Sequence, residues 1–226
     1  MIMEIGVVSA LTGSVIGAMS IRRERHYRRL ANCLDKVKQT SRSPAMDLSR
    51  LPAPSFANWI AAVPDFLGAE QFANLQREVE ALSRAERSYV PSHKKGATVA
   101  YETLIEHAPC VTAFYHSDAM VAYISSLTGV AVRPTPLHDQ SSLSILIYER
   151  LGDHIGWHYD HNFYRGRHFT ALLPVVNRGD AADGLSHARL RAMIGDTKHR
   201  RTCSSYSRAP GFCTRPRRWL PVSGGF

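Results

Sequence analysis

LSILIYERLGDHIGWHYDHNFYRGRHFTALLPVVN, running from Leu143 to Asn177, decides the fold and carries the chemistry. Leu143 to Tyr148 is an apolar, β-branched run of strand length, and Phe169 to Val176 is a second one. Between them lies a polar, glycine-punctuated segment, Glu149 to His168. The pattern predicts two core strands joined by a long turn. Inside the turn sits His158-Tyr159-Asp160. On an extended backbone, side chains two apart point the same way, so His158 and Asp160 can meet one ion while Tyr159 faces away. An imidazole and a carboxylate are two of the three ligands of the 2-His-1-carboxylate arrangement, which holds Fe(II) with positions open for oxygen chemistry.

The order Tyr148, Gly152, Trp157, His158, Asp160, Arg167, Thr170, Asn177 resembles the iron(II)- and 2-oxoglutarate-dependent oxygenases of the prolyl-hydroxylase-like branch. The entry Val63-Pro64-Asp65-Phe66-Leu67 into an amphipathic helix is similar to the opening of that superfamily, so the resemblance covers roughly Val63 to Arg191. It implies a mainly β fold with flanking helices (α+β), a double-stranded β-helix of the jelly-roll kind. It implies Fe(II) held by His158 and Asp160, with a second histidine from a late strand. It also implies 2-oxoglutarate and O2 as co-substrates, an arginine or lysine beyond the second histidine for the co-substrate carboxylate, and Tyr148 hydrogen-bonded to that carboxylate. The reaction it implies is hydroxylation of a C–H bond. The substrate is not legible: a peptide, a small metabolite and a lipid fit equally.

Outward from this stretch the chain divides by composition. Residues 55–194 are the expected domain and 39–54, rich in Ser, Pro and Arg, a linker. Helices are predicted over Ala69 to Leu82, with Phe72, Leu75, Val79 and Leu82 on one face, and over Ser117 to Leu127, stopped by Gly129. His93, Lys94 and Lys95 read as a small solvated basic loop, and His107, His116, His138 and His154 as structural. Trp157 and Tyr164 flank the metal turn, where they line either a substrate mouth or its packed rim. Cys33, Cys110, Cys203 and Cys213 show no zinc spacing and no disulfide framework.

Residues 1–38 hold an uncharged run, Ile5 to Ile21, followed by Arg22, Arg23, Arg25, Arg28 and Arg29. Its 17 residues are the short end of a membrane span, diluted by Gly, Ser and Thr. The expectation is a cytoplasmic protein with a possible anchor on the cytoplasmic face, since the arginines behind the run would stay on that side.

The tail, residues 195–226, lacks apolar periodicity just where the resemblance needs closing strands. Reading the third base of each codon from Ser205 with the first two of the next, and choosing codons freely, gives VFEGARVLHKATPVAAGERRI. The junction of Cys213 and Thr214 permits only His or Tyr. This reading supplies a late histidine and an arginine, and predicts a frameshift between about Leu190 and Arg201. A jelly roll lacking its closing strands, and therefore inactive, is the expected consequence. Thr197 to Phe226 also holds seven basic and no acidic residues, so setting it aside takes the net charge from +9 to +2. No nucleic-acid partner is expected on that balance. Two other classes compete with an oxygenase: a non-catalytic binding module on the same scaffold, and a basic protein of the membrane surface.

Overall fold

The computed structural model describes the backbone of residues 2–40, 51, 60–91, 93–140, 142–159, 164–186, 189–194, 201–204, 211–216 and 221–225, and the side chains of 17–40, 51, 60–91, 93–140, 142–158 and 164–186. The fold is mixed α+β, with helices packed beside open antiparallel sheets.

Helix α1 (Ile2–Thr40) is followed by β1 (Ala61–Pro64), α2 (Ala69–Ala81), the hairpin of β2 (Glu86–Val90) and β3 (Lys94–Val99), and three short helices, α3 (Tyr101–His107), α4 (Pro109–Tyr115) and α5 (Asp118–Thr128). The predicted helices at α2 and α5 form as expected. Ser117 caps α5, its Oγ accepting from the N–H of Met120 at 3.2 Å, and Gly129 ends it at φ 65°, a left-handed conformation that glycine adopts without strain. Helices α3 and α4 were not foreseen, because seven-residue helices are too short to show periodicity. Ala108 offers no capping side chain to α4. Glu78, on α2, takes that role: its two carboxylate oxygens accept from the N–H groups of Cys110 and Val111 at 2.9 and 2.8 Å, satisfying orphan donors and complementing the helix dipole.

The core joins β1 to these helices. Val63, Phe66, Leu75, Val99, Leu104, Ala108, Phe114, Met120, Tyr123 and Leu127 pack together, with Phe66 edge-on to Phe114 and tilted on Tyr123. The second half of α1 docks on α3 through buried Leu30, Leu34 and Val37, at helical spacing. Ion pairs from His26 to Glu102 at 2.9 Å and Arg29 to Glu106 at 2.5 Å fix it there. Met19 and Ile21, further toward the N-terminus, are exposed. Among the described residues, no helix is long and apolar enough to cross a membrane. The linker expected over 39–54 lies almost wholly outside the described residues, and α1 runs two residues into its start.

The two decisive strands are shorter than the sequence predicts: β4 is Ile145–Ile147 and β7 is Phe169–Leu172. Pro174 cannot donate to a ladder, which ends β7 early. Between them lie β5 (His154–Ile155) and β6 (His158–Tyr159); beyond β7 come β8 (Arg189–Ile194), β9 (Arg201–Ser204), β10 (Gly211–Pro216) and β11 (Pro221–Gly225). One sheet has the order β1-β10-β7, a second β6-β11-β8-β9, and a third β2-β3-β4 with β5 also on β3.

The expectation that the tail is irregular is corrected for residues 201–204, 211–216 and 221–225, which form strands. Strand β10 pairs with both β1 and β7, and β11 with both β6 and β8. Backbone pairing does not require alternating apolar side chains, and the edges of β1, β7, β6 and β8 present N–H and C=O groups that need partners. Pro216 and Pro221, expected to interrupt pairing, stand at strand ends, opposite Phe169 and Tyr159, where a missing N–H costs least.

Candidate metal centre

The turn is built from its buried anchor outward. Asp153 is fully buried, and its carboxylate accepts from Arg87 Nη2 at 2.6 Å and from the backbone N–H groups of Glu149 and Arg150 at 3.2 and 3.0 Å. Burial pushes its pKa up, but the Arg87 guanidinium and the two amides outweigh that and hold it below the ordinary carboxylate value. Gly152, at φ 79°, makes the preceding bend. The pinned turn delivers β5 against the start of β3, with Lys94 opposite Ile155 and Lys95 opposite His154. The N–H of Gly156 then donates to the carbonyl of His93 at 2.5 Å.

His158 follows. Its Nδ1 is 2.8 Å from the carbonyl of Gly156. A carbonyl only accepts, so Nδ1 carries the proton and the ring lone pair resides on Nε2, the tautomer that a metal-binding histidine needs. The ring is half-buried and stands edge-on to that of His93, centroids 5.7 Å apart and planes at 86°. Asp160, the other expected ligand, lies outside the described residues, as do His187 and His199. Among the described residues no three His, Cys, Asp or Glu side chains converge on one point.

Tyr148 leaves the end of β4 and lays its ring on Gly96 of β3, where an added Cβ would come within 3.0 Å of two ring carbons. Only glycine allows that approach. The Tyr148 hydroxyl is buried and, among the described residues, has no hydrogen-bond partner. Burial, and then the Asp153 charge, push its pKa up to about 12, so it stays a protonated donor at neutral pH. An orphaned buried donor costs about 1 to 3 kcal/mol, and a carboxylate ligand is the natural acceptor for it. His158 could hold a divalent ion through Nε2, and the Tyr148 hydroxyl could donate to an acidic ligand. Tyr148→Phe is expected to leave folding stability unchanged or slightly raised while weakening 2-oxoglutarate binding about fivefold or more. Calorimetric titration checks this, and unchanged affinity would remove Tyr148 from the site.

The remaining expectations fall out variously. His116 stacks on Tyr101 and its Nε2 accepts from the Tyr101 hydroxyl at 2.5 Å; burial and then the Lys38 charge lower its pKa to about 4, so it is a neutral core group. His154 Nδ1 donates to the Gly152 carbonyl. Trp157 is exposed and Tyr164 donates to Asp139. The hairpin β2–β3 is what sequence reasoning missed. Its signal was the Pro91-Ser92 pair between Glu86–Val90 and Lys94–Val99; His93 is exposed, as expected of a solvated loop, while Lys94 and Lys95 lie in β3, and the His93 ring stands edge-on to that of His158.

A family model, halogenase D, matches residues 51–189. The match spans more than half of the chain and includes every site element described above, so the chain belongs to the halogenase D family. No curated protein matches it.

Proposed function

We propose that the chain is built as a non-haem iron oxygenase of the 2-oxoglutarate class, on a double-stranded β-helix. The orientation of His158 carries this reading: a ring locked by a backbone carbonyl with its lone pair on Nε2, two residues ahead of a carboxylate. Placement of β6 and β7 in different sheets, and of β10 and β11 likewise, supports the jelly-roll arrangement, in which the chain passes from sheet to sheet. His158 and Asp160 would hold Fe(II), and Tyr148 would donate to the 2-oxoglutarate carboxylate. When bound, Fe(II) would supply the chemistry that lets O2 act as oxidant, one oxygen atom passing to 2-oxoglutarate as it loses CO2 to give succinate and the other replacing a C–H hydrogen of the substrate as a hydroxyl. Asp153, through Arg87 and the Glu149 and Arg150 amides, holds the turn that aims His158.

The family name favours halogenation, whereas the sequence favours hydroxylation. Two imidazoles, one carboxylate and a bidentate keto acid leave one position on an octahedral ion, so the Asp160 carboxylate competes with a halide for the place. The late histidine and arginine of the family resemblance occur only in the alternative reading of the tail. Turnover is therefore assigned to a chain corrected in frame, and the nucleotide sequence around codons 190 to 205 tests that assignment. Iron-dependent conversion of 2-oxoglutarate to succinate by the corrected chain, indifferent to chloride, is the expected result. Turnover that requires chloride would favour halogenation, and none under either condition would favour a binding module.

Association with a membrane surface is a separate proposal, resting on the uncharged run Ile5 to Ile21 and the arginines behind it. The docking of α1 sets where to cut. Removing residues 1–21 spares His26 and Arg29, which pair with Glu102 and Glu106, so it should release the protein from anionic vesicles without unfolding it. A full-length chain that does not sediment with such vesicles would end this idea.

A further inference from the structure

We infer that Lys94 supplies the cation of an anion subsite on β3, where with the Tyr148 hydroxyl it would bind the distal carboxylate of a small keto dicarboxylate, in place of a basic residue from a late strand. This rests on the reading of the chain as a 2-oxoglutarate enzyme. The two faces of the β3–β4 ladder carry different chemistry. Val99, Ile145 and Ile147 pack into the helical core, with Ala97 buried on their side. Side chains alternate along a strand, so Lys94, Gly96 and Thr98 lie on the opposite face. Tyr148, one step past the Ala97–Ile147 pair, lays its ring on Gly96 of that face. Lys94 Nζ donates to Thr98 Oγ1 at 2.6 Å, so the lysine stem runs along the face past Gly96 and the tyrosine ring. Lys95 belongs to the other face and donates to the Leu151 carbonyl.

The cluster is rich in donors and short of acceptors. Among the described residues, the buried Tyr148 hydroxyl has no hydrogen-bond partner. The Lys94 ammonium has a neutral partner in Thr98, whose own hydroxyl hydrogen is left to donate. Burial pushes the Lys94 pKa down, the mark of an ammonium drawn out of water without a compensating charge. The Asp153 carboxylate, whose charge is felt at Tyr148, is already held by Arg87 and two backbone amides. An ammonium, a phenol and an alcohol on one face beside Gly96 call for a ligand that only accepts, and a carboxylate accepts at two oxygens. Leu146, opposite Thr98 on the same face, is 41% exposed, so a solute can reach the cluster from solvent.

Calorimetric titration of the full-length chain, with Fe(II) and without oxygen, tests the inference without relying on turnover. It compares 2-oxoglutarate with 2-oxopentanoate, in which a methyl group replaces the distal carboxylate. The parent should prefer 2-oxoglutarate by at least about tenfold. A hydrogen bond to a charged group is worth a factor of about ten to a hundred in affinity, so Lys94→Met should lose that much for 2-oxoglutarate and almost nothing for 2-oxopentanoate. Lys94→Arg should keep the preference, and Lys95→Met, which removes the neighbouring charge from the other face, should leave both affinities unchanged. Far-UV circular dichroism establishes that each variant is folded. An equal loss for both keto acids in Lys94→Met would mark the lysine as structural and overturn the inference. If Lys94→Met keeps the parent's preference while Tyr148→Phe loses it, Lys94 is not the cation and the 2-oxoglutarate reading survives. Loss of chloride binding in Lys94→Met with 2-oxoglutarate affinity intact would give the subsite to a halide instead. If the parent binds neither keto acid, both the subsite and the reading fall.

Discussion

Asp153→Ala is expected to destabilise the fold by about 3 to 5 kcal/mol, the usual cost of removing one partner from a buried ion pair. The carboxylate is fully buried and serves three donors, the Arg87 guanidinium and the amides of Glu149 and Arg150. Its removal leaves the Arg87 guanidinium, on a side chain 27% exposed, and two amides without their acceptor. Chemical denaturation of parent and variant measures the difference. A loss under about 0.5 kcal/mol, the range of ordinary surface substitutions, would show that the turn does not depend on this anchor. Arg87→Ala leaves the fully buried Asp153 carboxylate with only its two amide donors, so it should also destabilise the fold, and the double variant should cost less than the two singles together. The pair also sets an acid limit. Because the folded-state pKa of Asp153 is held below its ordinary value, its contribution is fully present above about pH 4 and fades as the pH falls through the lowered value. Asp153→Asn should flatten that part of the stability profile.

His158→Ala in the frame-corrected chain should eliminate iron-dependent succinate formation, at least about a thousandfold below the parent, while the fold survives. A site of three protein ligands loses a large share of its affinity and its open-position geometry with one imidazole gone. His158 is half-buried, with its ring on His93 and its Nδ1 on the Gly156 carbonyl, so removing it takes away modest packing. Asp160→Ala should behave in the same way. Parent-like succinate production by either variant would sink the metal assignment. Titration of the metal-stripped parent and variants with Co(II), followed by visible absorption, serves as the independent readout, because it does not depend on co-substrate binding.

The strand–turn–strand core, α2 and α5 were legible because each rests on local periodicity within one element. The stripe Phe72, Leu75, Val79 and Leu82 dictates a helix. Tertiary structure decided what local spacing cannot reach. Glu78 caps a helix 32 residues away through Cys110, and Asp153 is buried only because Arg87, 66 residues earlier, comes to it. Polar residues of this sort look like surface until the partner is known, since a charge is buried only when paired. Gly96 reads as a weak strand residue until Tyr148 lies across it. The ring contact of exposed His93 with His158 is not visible until β3 meets β5. The tail is the sharpest case: its side-chain pattern forecasts no strands, yet the open backbone edges of β1, β7, β6 and β8 recruit residues 211–216 and 221–225, because hydrogen bonding along a ladder is a property of the backbone and only the facing of a strand belongs to its side chains.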